Sequence, residues 1–242
     1  MYQVVGYHRP ASLVEALQLL AAEGRVALAG GVHLHHDGGA DATELVDLQA
    51  LGLDAVDISE TSARLGAMVR LQSVADEPRL PDVIRRAARA EQPSTLRSLA
   101  TLGGLIVTGA DDSLLLAALL AHDAVVRLAS GTGGERSSPL AGLLADRPRP
   151  GDLIVDVAIT TTGRSALART GRTPGDTPIV GVVGRRVGDI TTFGLCGVSE
   201  RPLRLAADEF GSLDPIGDHR ATSAYRAHLV EILAGRVMEE LS

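Results

Sequence analysis

Two glycine pairs carry the residues best suited to bind a ligand in this 242-residue chain. The first closes Val26-Ala-Leu-Ala-Gly-Gly-Val-His-Leu34, and the second ends Leu96-Arg-Ser-Leu-Ala-Thr-Leu-Gly-Gly104. A Gly-Gly turn after a strand permits φ > 0, lets the backbone approach a ligand closely and exposes consecutive N–H groups that can hold a phosphate. The same dipeptide also serves plain turns, so Gly103-Gly104 reads equally as a helix-to-strand connection. A rival constellation is His33-Leu-His-His-Asp37, in which His33, His35 and Asp37 have the H-x-H-x-D spacing of some binuclear hydrolases. Imidazole and carboxylate suit zinc. Such a site needs further ligands from distant loops, and His8, His122, His219 and His228 stand in no recognisable ligand motif.

Composition narrows the chemistry. The formal net charge of −7 argues against a nucleic-acid partner, which calls for a basic footprint. The chain has no lysine, which removes Schiff-base chemistry and a P-loop lysine together. Cys196 is the single cysteine; it cannot form an internal disulfide and fits a cytoplasmic location. On its apolar strand it reads as a small buried hydrophobe. Aromatic residues make up only 2% of the chain, so aliphatic packing builds the core and few rings are free to stack on a ligand. No run of residues is long and apolar enough to span a membrane, and no secretory signal opens the chain.

The elements that must position these turns follow from periodicity. Ser12 is an N-cap for a helix with Leu13, Ala16, Leu17 and Leu20 on one face, stopped at Gly24. Residues 26–29, 45–48 and 55–58 read as short buried strands, which makes 1–58 a small α/β unit. Residues 59–162 form a second, with strands near 64–69, 125–128 and 153–159 and helices near 71–75, 81–90 and 113–121. Residues 129–138 read as a polar loop. The third unit, 163–242, holds a β-hairpin of 179–187 and 190–198 turning at Gly188-Asp189, then a final helix from about Ala221 with Tyr225, Leu229, Ile232, Leu233 and Val237 on one side. The fold class is α+β (α/β): two α/β subdomains with a cleft between them and a small C-terminal α+β domain.

These motifs and their order resemble the FAD-binding (PCMH-type) medium subunit, or flavin domain, of the molybdenum hydroxylases, the xanthine dehydrogenase and aerobic carbon monoxide dehydrogenase group. The likeness runs through Tyr7-His-Arg-Pro-Ala-Ser-Leu-Val-Glu-Ala-Leu17, Glu44-Leu-Val-Asp-Leu48, Ala63-Arg-Leu-Gly-Ala-Met-Val-Arg-Leu71 and Leu116-Ala-Ala-Leu-Leu-Ala-His-Asp-Ala124. It continues in Arg172-Thr-Pro-Gly-Asp176, Gly194-Leu-Cys-Gly-Val-Ser-Glu-Arg-Pro-Leu-Arg204 and Gly217-Asp-His-Arg-Ala221.

The resemblance implies FAD lying extended in the cleft, with both glycine turns against its pyrophosphate. Carried over by position, Ala29, Gly30, Gly31, Val32, His33 and Leu34 form the first turn, and Ala100, Thr101, Gly103 and Gly104 the second, with Ile106 and Thr108 beyond it. Ile154 or Val155 would meet the flavin ring, and Asp176 would lie at the third-domain edge. The implied partners are a molybdenum-cofactor large subunit and a 2Fe-2S small subunit, with electrons passing through FAD to NAD or another acceptor. One cysteine cannot hold an iron–sulfur cluster, so this chain carries none, and no side chain is assigned a catalytic role.

Several positions depart from the family pattern. Val32 and His33 replace a Thr and a polar residue, Leu105 an Asn, Leu114 the Asp of a Ser-Asp pair, and Ala168, beside Arg169, a Lys. About four lost polar contacts at roughly 1 kcal/mol each amount to several decades of affinity. A homologue that has lost the flavin and serves a structural or assembly role is therefore the alternative reading, and a metal-dependent hydrolase built on His33, His35 and Asp37 a further one.

Overall fold

Parallel pairing organises the first unit. In a computed structural model describing residues 3–32, 42–131, 134–149, 151–171, 173 and 176–242, β1 (Gln3–His8), α1 (Leu13–Leu20), β2 (Arg25–Leu28) and β3 (Ala42–Asp47) come first. The strands lie in the order β1-β3-β2, both contacts parallel. Ser12 caps α1 as its residue type predicts, its hydroxyl accepting the Glu15 N–H, and the helix buries Ala16 and Leu17.

The second sheet contains β4 (Val56–Ile58), β5 (Ser62–Gly66), β6 (Val125–Ser130), β7 (Gly134–Pro139) and β8 (Leu153–Thr160). Its order is β4-β5-β8-β6-β7 and every contact is antiparallel. Two expectations are corrected here. Strand 55–58, expected in the first unit, pairs with β5 through a turn closed by the Ser59 N–H on the Ser62 carbonyl, 2.8 Å. Local hairpin formation wins, so the boundary expected at 58 falls inside a hairpin. The polar loop expected at 129–138 is mostly two paired strands, with Ala129 opposite Glu135 and Leu128 opposite Arg136. β7 is an exposed edge strand, and an edge with no buried face needs no apolar alternation to mark it.

The helices between these strands are α2 (Leu71–Asp76), α3 (Asp82–Glu91), α4 (Ser94–Arg97), α5 (Leu102–Thr108), α6 (Leu114–Ala121) and α7 (Leu140–Ala145). α6 is apolar all round and all of its residues are buried. The third unit is an antiparallel sheet of β9 (Arg164–Thr170), β10 (Val180–Val187), β11 (Ile190–Cys196) and β12 (Leu203–Ala206), in the order β12-β11-β10-β9. The expected hairpin at Gly188-Asp189 joins β10 to β11. α8 (Ser223–Leu241), capped by Thr222, lays Leu229, Leu233, Val237 and Leu241 into a core shared with Val182 and Phe193.

α6 rests on α3 and on the third sheet, and a second apolar cluster joins the first two units. That cluster contains Ala16, Leu17 and Val46 from the first and Met68, Ala129, Leu153 and Val155 from the second. The turn after α6 is fastened to the third sheet by Asp123, whose carboxylate meets Arg185 at 2.7 Å and Arg204 at 2.8 Å. Arg185 is only 5% exposed and also donates to the Thr162 carbonyl at 2.8 Å. Removing one partner of such a pair strands a buried charge. Because Asp123 itself is partly exposed, Asp123→Ala should cost about 2 kcal/mol, read as a lower urea midpoint at unchanged m value. A midpoint equal to wild type would show that this joint contributes nothing.

Candidate functional site

The chain leaves β2 at Leu28 and enters the first glycine segment. A Cβ built on Gly30 would lie 2.0 Å from the Leu99 carbonyl oxygen and 3.2 Å from the Ala100 Cα. The two glycine-bearing segments therefore abut, backbone against backbone, and only glycine fits at 30. Gly31 takes φ +73°, and a Cβ there would meet nothing closer than Leu28 Cδ1 at 3.6 Å. Among the described residues, the N–H groups of Gly30, Gly31 and Val32 make no hydrogen bond to the protein.

The second pair is not a loop after a strand. Gly103 and Gly104 lie in the first turn of α5, because Thr101 caps that helix and its hydroxyl accepts the Gly104 N–H at 3.2 Å. Leu102 donates to the Val69 carbonyl at 2.9 Å, Gly103 to that of Ala67 at 2.8 Å and Leu105 to that of Thr101 at 3.0 Å. These amides are spent within the protein. The N–H of Thr101 has no protein acceptor among the described residues. An isolated bridge pairs Thr101 with Arg70, through Leu71 N–H on the Ala100 carbonyl and Leu102 N–H on that of Val69. In that pattern the Thr101 N–H turns away from Arg70. Free main-chain donors on two abutting segments are the chemistry a diphosphate requires, and in that respect the residues fit FAD.

The remaining expected residues scatter. Ala29 is half-buried beside the cluster joining the first two units. Ile106 is in the main core, and the Thr108 hydroxyl is bound to the Gly104 carbonyl at 2.9 Å. On β8, Arg127 pairs with Asp156 and Leu128 with Ile154, so Val155 is the extra residue of a bulge. The bulge sends Ile154 to the main core and Val155 to the inter-unit cluster, and both are buried. The Asp176 carbonyl accepts Arg169 Nη1 at 2.8 Å. Leu105 and Leu114 are 6% and 1% exposed in the main core. Cys196 is buried, and burial pushes its thiol well above the usual range. His33 and Leu34, and the rival set of His33, His35 and Asp37, lie outside the described residues. Among the described residues no group of His, Cys, Asp and Glu is arranged to hold a metal ion.

One functional-looking group gave no signal in the sequence. A cavity of about 70 Å³ is lined by Glu91, Leu105, Thr108, Asp112 and Thr177, among others. Glu91 ends α3 and reaches the start of α6, where Oε1 accepts the Leu115 N–H at 2.6 Å and the Ser113 hydroxyl at 3.0 Å. Burial of the carboxyl raises its pKa from 4.5 to about 7, opposed by those hydrogen bonds and reinforced by Asp112. No spacing links 91 to 113–115; only the tertiary fold does. The folded state holds a proton that the unfolded chain has released, so the contribution is full below pH 4.5 and is lost as pH rises through about 7. Glu91→Gln cannot titrate. Wild-type stability minus that of Glu91→Gln, from urea unfolding at a series of pH values, should fall across that window and level off above it. A flat difference would remove Glu91 from the pH response.

Comparison with known proteins bears on what the site holds. The sequence pattern described as the FAD binding domain in molybdopterin dehydrogenase matches residues 2–161. The protein YgfM of Escherichia coli (strain K12) is 29% identical over 245 residues, spanning 94% of this chain and 92% of its own. Quinoline 2-oxidoreductase from Pseudomonas putida 86 superposes with a TM-score of 0.88 at 20% identity, over 100% of this chain and 98% of that one. Reconstituted CO dehydrogenase from Oligotropha carboxidovorans superposes with a TM-score of 0.86 at 22% identity, over 100% and 98%. At these identities the structural likeness is one of fold.

Proposed function

This chain belongs to the family of FAD-binding domains in molybdopterin dehydrogenases, and on that premise we propose that it is the FAD-binding, electron-transferring subunit of a molybdenum hydroxylase-type complex. The observation that carries the reading is the abutment of the two glycine segments, which leaves the amides of Gly30, Gly31, Val32 and Thr101 without protein acceptors among the described residues. Those amides would hold the diphosphate of FAD, and the closed junction between the first two units would fix its direction. When bound, FAD supplies the redox chemistry, and the chain supplies position and surroundings. Leu105 and Leu114 offer no hydrogen bond, so these two positions add nothing polar to recognition.

The partners in this reading are a large subunit carrying the molybdenum cofactor and a small 2Fe-2S subunit. A chain with one cysteine cannot carry the cluster that would feed it electrons. Electrons then leave to NAD or another acceptor, in the cytoplasm. Residues 1–58, 59–162 and 163–242 serve as first FAD-binding subdomain, second FAD-binding subdomain and C-terminal domain, with the β4–β5 hairpin spanning the first boundary. The second reading, a flavin-free structural or assembly subunit, is favoured by one observation: the apolar side chains at 105 and 114 are packed into the core.

Titration of the purified protein with FAD, followed by flavin fluorescence quenching, separates the two. Stoichiometric binding is expected. Gly31→Ala, which forces a Cβ into a left-handed backbone beside the free amides, should weaken it at least tenfold at a stability cost of about 1 kcal/mol. A wild type that takes up no FAD would favour the structural reading. Full affinity in Gly31→Ala would place the cofactor elsewhere.

A further inference from the structure

A cation stands where the two glycine segments meet. Arg70 occupies the N-cap position of α2 in an extended conformation, φ −72° and ψ 142°, and its backbone bridges to Thr101. Its Nη1 donates to the Leu99 carbonyl oxygen. That is the same oxygen that would lie 2.0 Å from a Gly30 Cβ. One carbonyl therefore fixes the guanidinium beside Gly30 and within the segment that leads to the Thr101 amide.

The charge of Arg70 is unspent. Arg64 and Arg127 share Asp156, Arg185 and Arg204 share Asp123, Arg220 pairs with Asp112 and Arg226 with Asp218. Among the described residues no carboxylate pairs with Arg70, and the Leu99 carbonyl is its one side-chain hydrogen-bond partner. A guanidinium offers five N–H donors in a planar fork that matches phosphate oxygens. Arg97, Arg186 and Arg201 are likewise half-buried with no carboxylate partner among the described residues; what sets Arg70 apart is its place, because it adjoins the free amides.

We propose that Arg70 is the charge-pairing residue of this site, donating one N–H to Leu99 and the others to the diphosphate of a dinucleotide such as FAD. The proposal rests on the FAD reading above and deepens it: affinity comes from the diphosphate, through Arg70 and the amides of Gly30, Gly31, Val32 and Thr101. ADP, which shares that group, should compete with FAD, whereas riboflavin, which lacks it, should not depend on Arg70.

The test titrates wild type, Arg70→Gln and Arg70→Lys with FAD, ADP and riboflavin at low and moderate salt, with unfolding midpoints recorded for each. Arg70→Gln should bind FAD and ADP ten- to hundred-fold more weakly, bind riboflavin as wild type does, and lose much of the salt dependence. Arg70→Lys should fall between, because an ammonium keeps the charge without the fork. It carries the test if Arg70→Gln does not fold. Unchanged FAD and ADP affinity with an unchanged salt slope overturns the role of Arg70 and leaves the FAD reading standing. Equal losses for riboflavin and FAD show that Arg70 acts through the fold. A wild type that binds neither FAD nor ADP overturns the FAD reading itself, and the proposal with it.

Discussion

Complete burial of α6 is the constraint on which the rest of the structure depends. From Leu114 to Ala121 no side chain reaches solvent, so the helix cannot leave its terminal backbone groups to water. At the N-terminal end the Ser113 hydroxyl accepts the Leu116 N–H at 3.2 Å and Glu91 accepts that of Leu115. At the other end the His122 ring bonds through Nδ1 to the Thr160 carbonyl at 2.7 Å, tying the helix to β8, while Asp123 ties it to β10 and β12. Each end is thus fastened to another part of the fold by a titratable side chain. Burial pushes Glu91 up to about 7 and pulls His122 down to about 4, so between those values both stay uncharged. An interior that cannot solvate charge has selected the neutral form at each end of the helix.

The same economy shapes the glycine segments. The apolar cluster of Ala16, Leu17, Val46, Met68, Leu153 and Val155 closes the first unit on the second, which drives the end of β2 onto the segment before α5. Contact there is between main chains, and Gly30 tolerates it because it has no Cβ. Packing therefore places the free amides, whether or not a ligand is present. The second pair does different work. With Gly103 bonded to Ala67 and Gly104 to the Thr101 hydroxyl, it seats α5 against the loop after β5. One pair leaves donors for a ligand and the other uses its donors for the fold.

Much of this was legible in the sequence. Ser12, the apolar run 114–121, the hairpin at Gly188-Asp189 and the motif order all carry local or family signals, and each has its counterpart in the structure. What could not be read depends on tertiary choice. β7 is polar because it is an exposed edge, so its composition mimics a loop. Val56–Ile58 is too short to declare its sheet, and the Ser59–Ser62 turn decides it. Thr101 looks like a residue before a glycine turn but acts as a helix cap. Glu91 and Arg70 belong to no motif; they matter through partners at 113–115 and at 99 that only folding brings near.

The absence of lysine ties these observations together. Arginine forks fasten irregular backbone throughout the molecule: Arg97 reaches the Gln72 side chain at 3.0 Å and the carbonyls of Arg89 and Gln92. Arg201 holds the carbonyls of Thr108 and Gly109, both at 2.6 Å, and Arg226 those of Ile179 and Gly197 beneath α8. A planar guanidinium can satisfy several acceptors at once, whereas an ammonium on a flexible stem is a point charge. Arg70 gives its five donors one carbonyl, as Arg89 does with Ala75 and Arg186 with Leu241 among the described residues. What distinguishes Arg70 is where its bond lies: among the described residues it is to the Leu99 carbonyl that also abuts Gly30, so the fold holds this guanidinium at the junction of the two glycine segments.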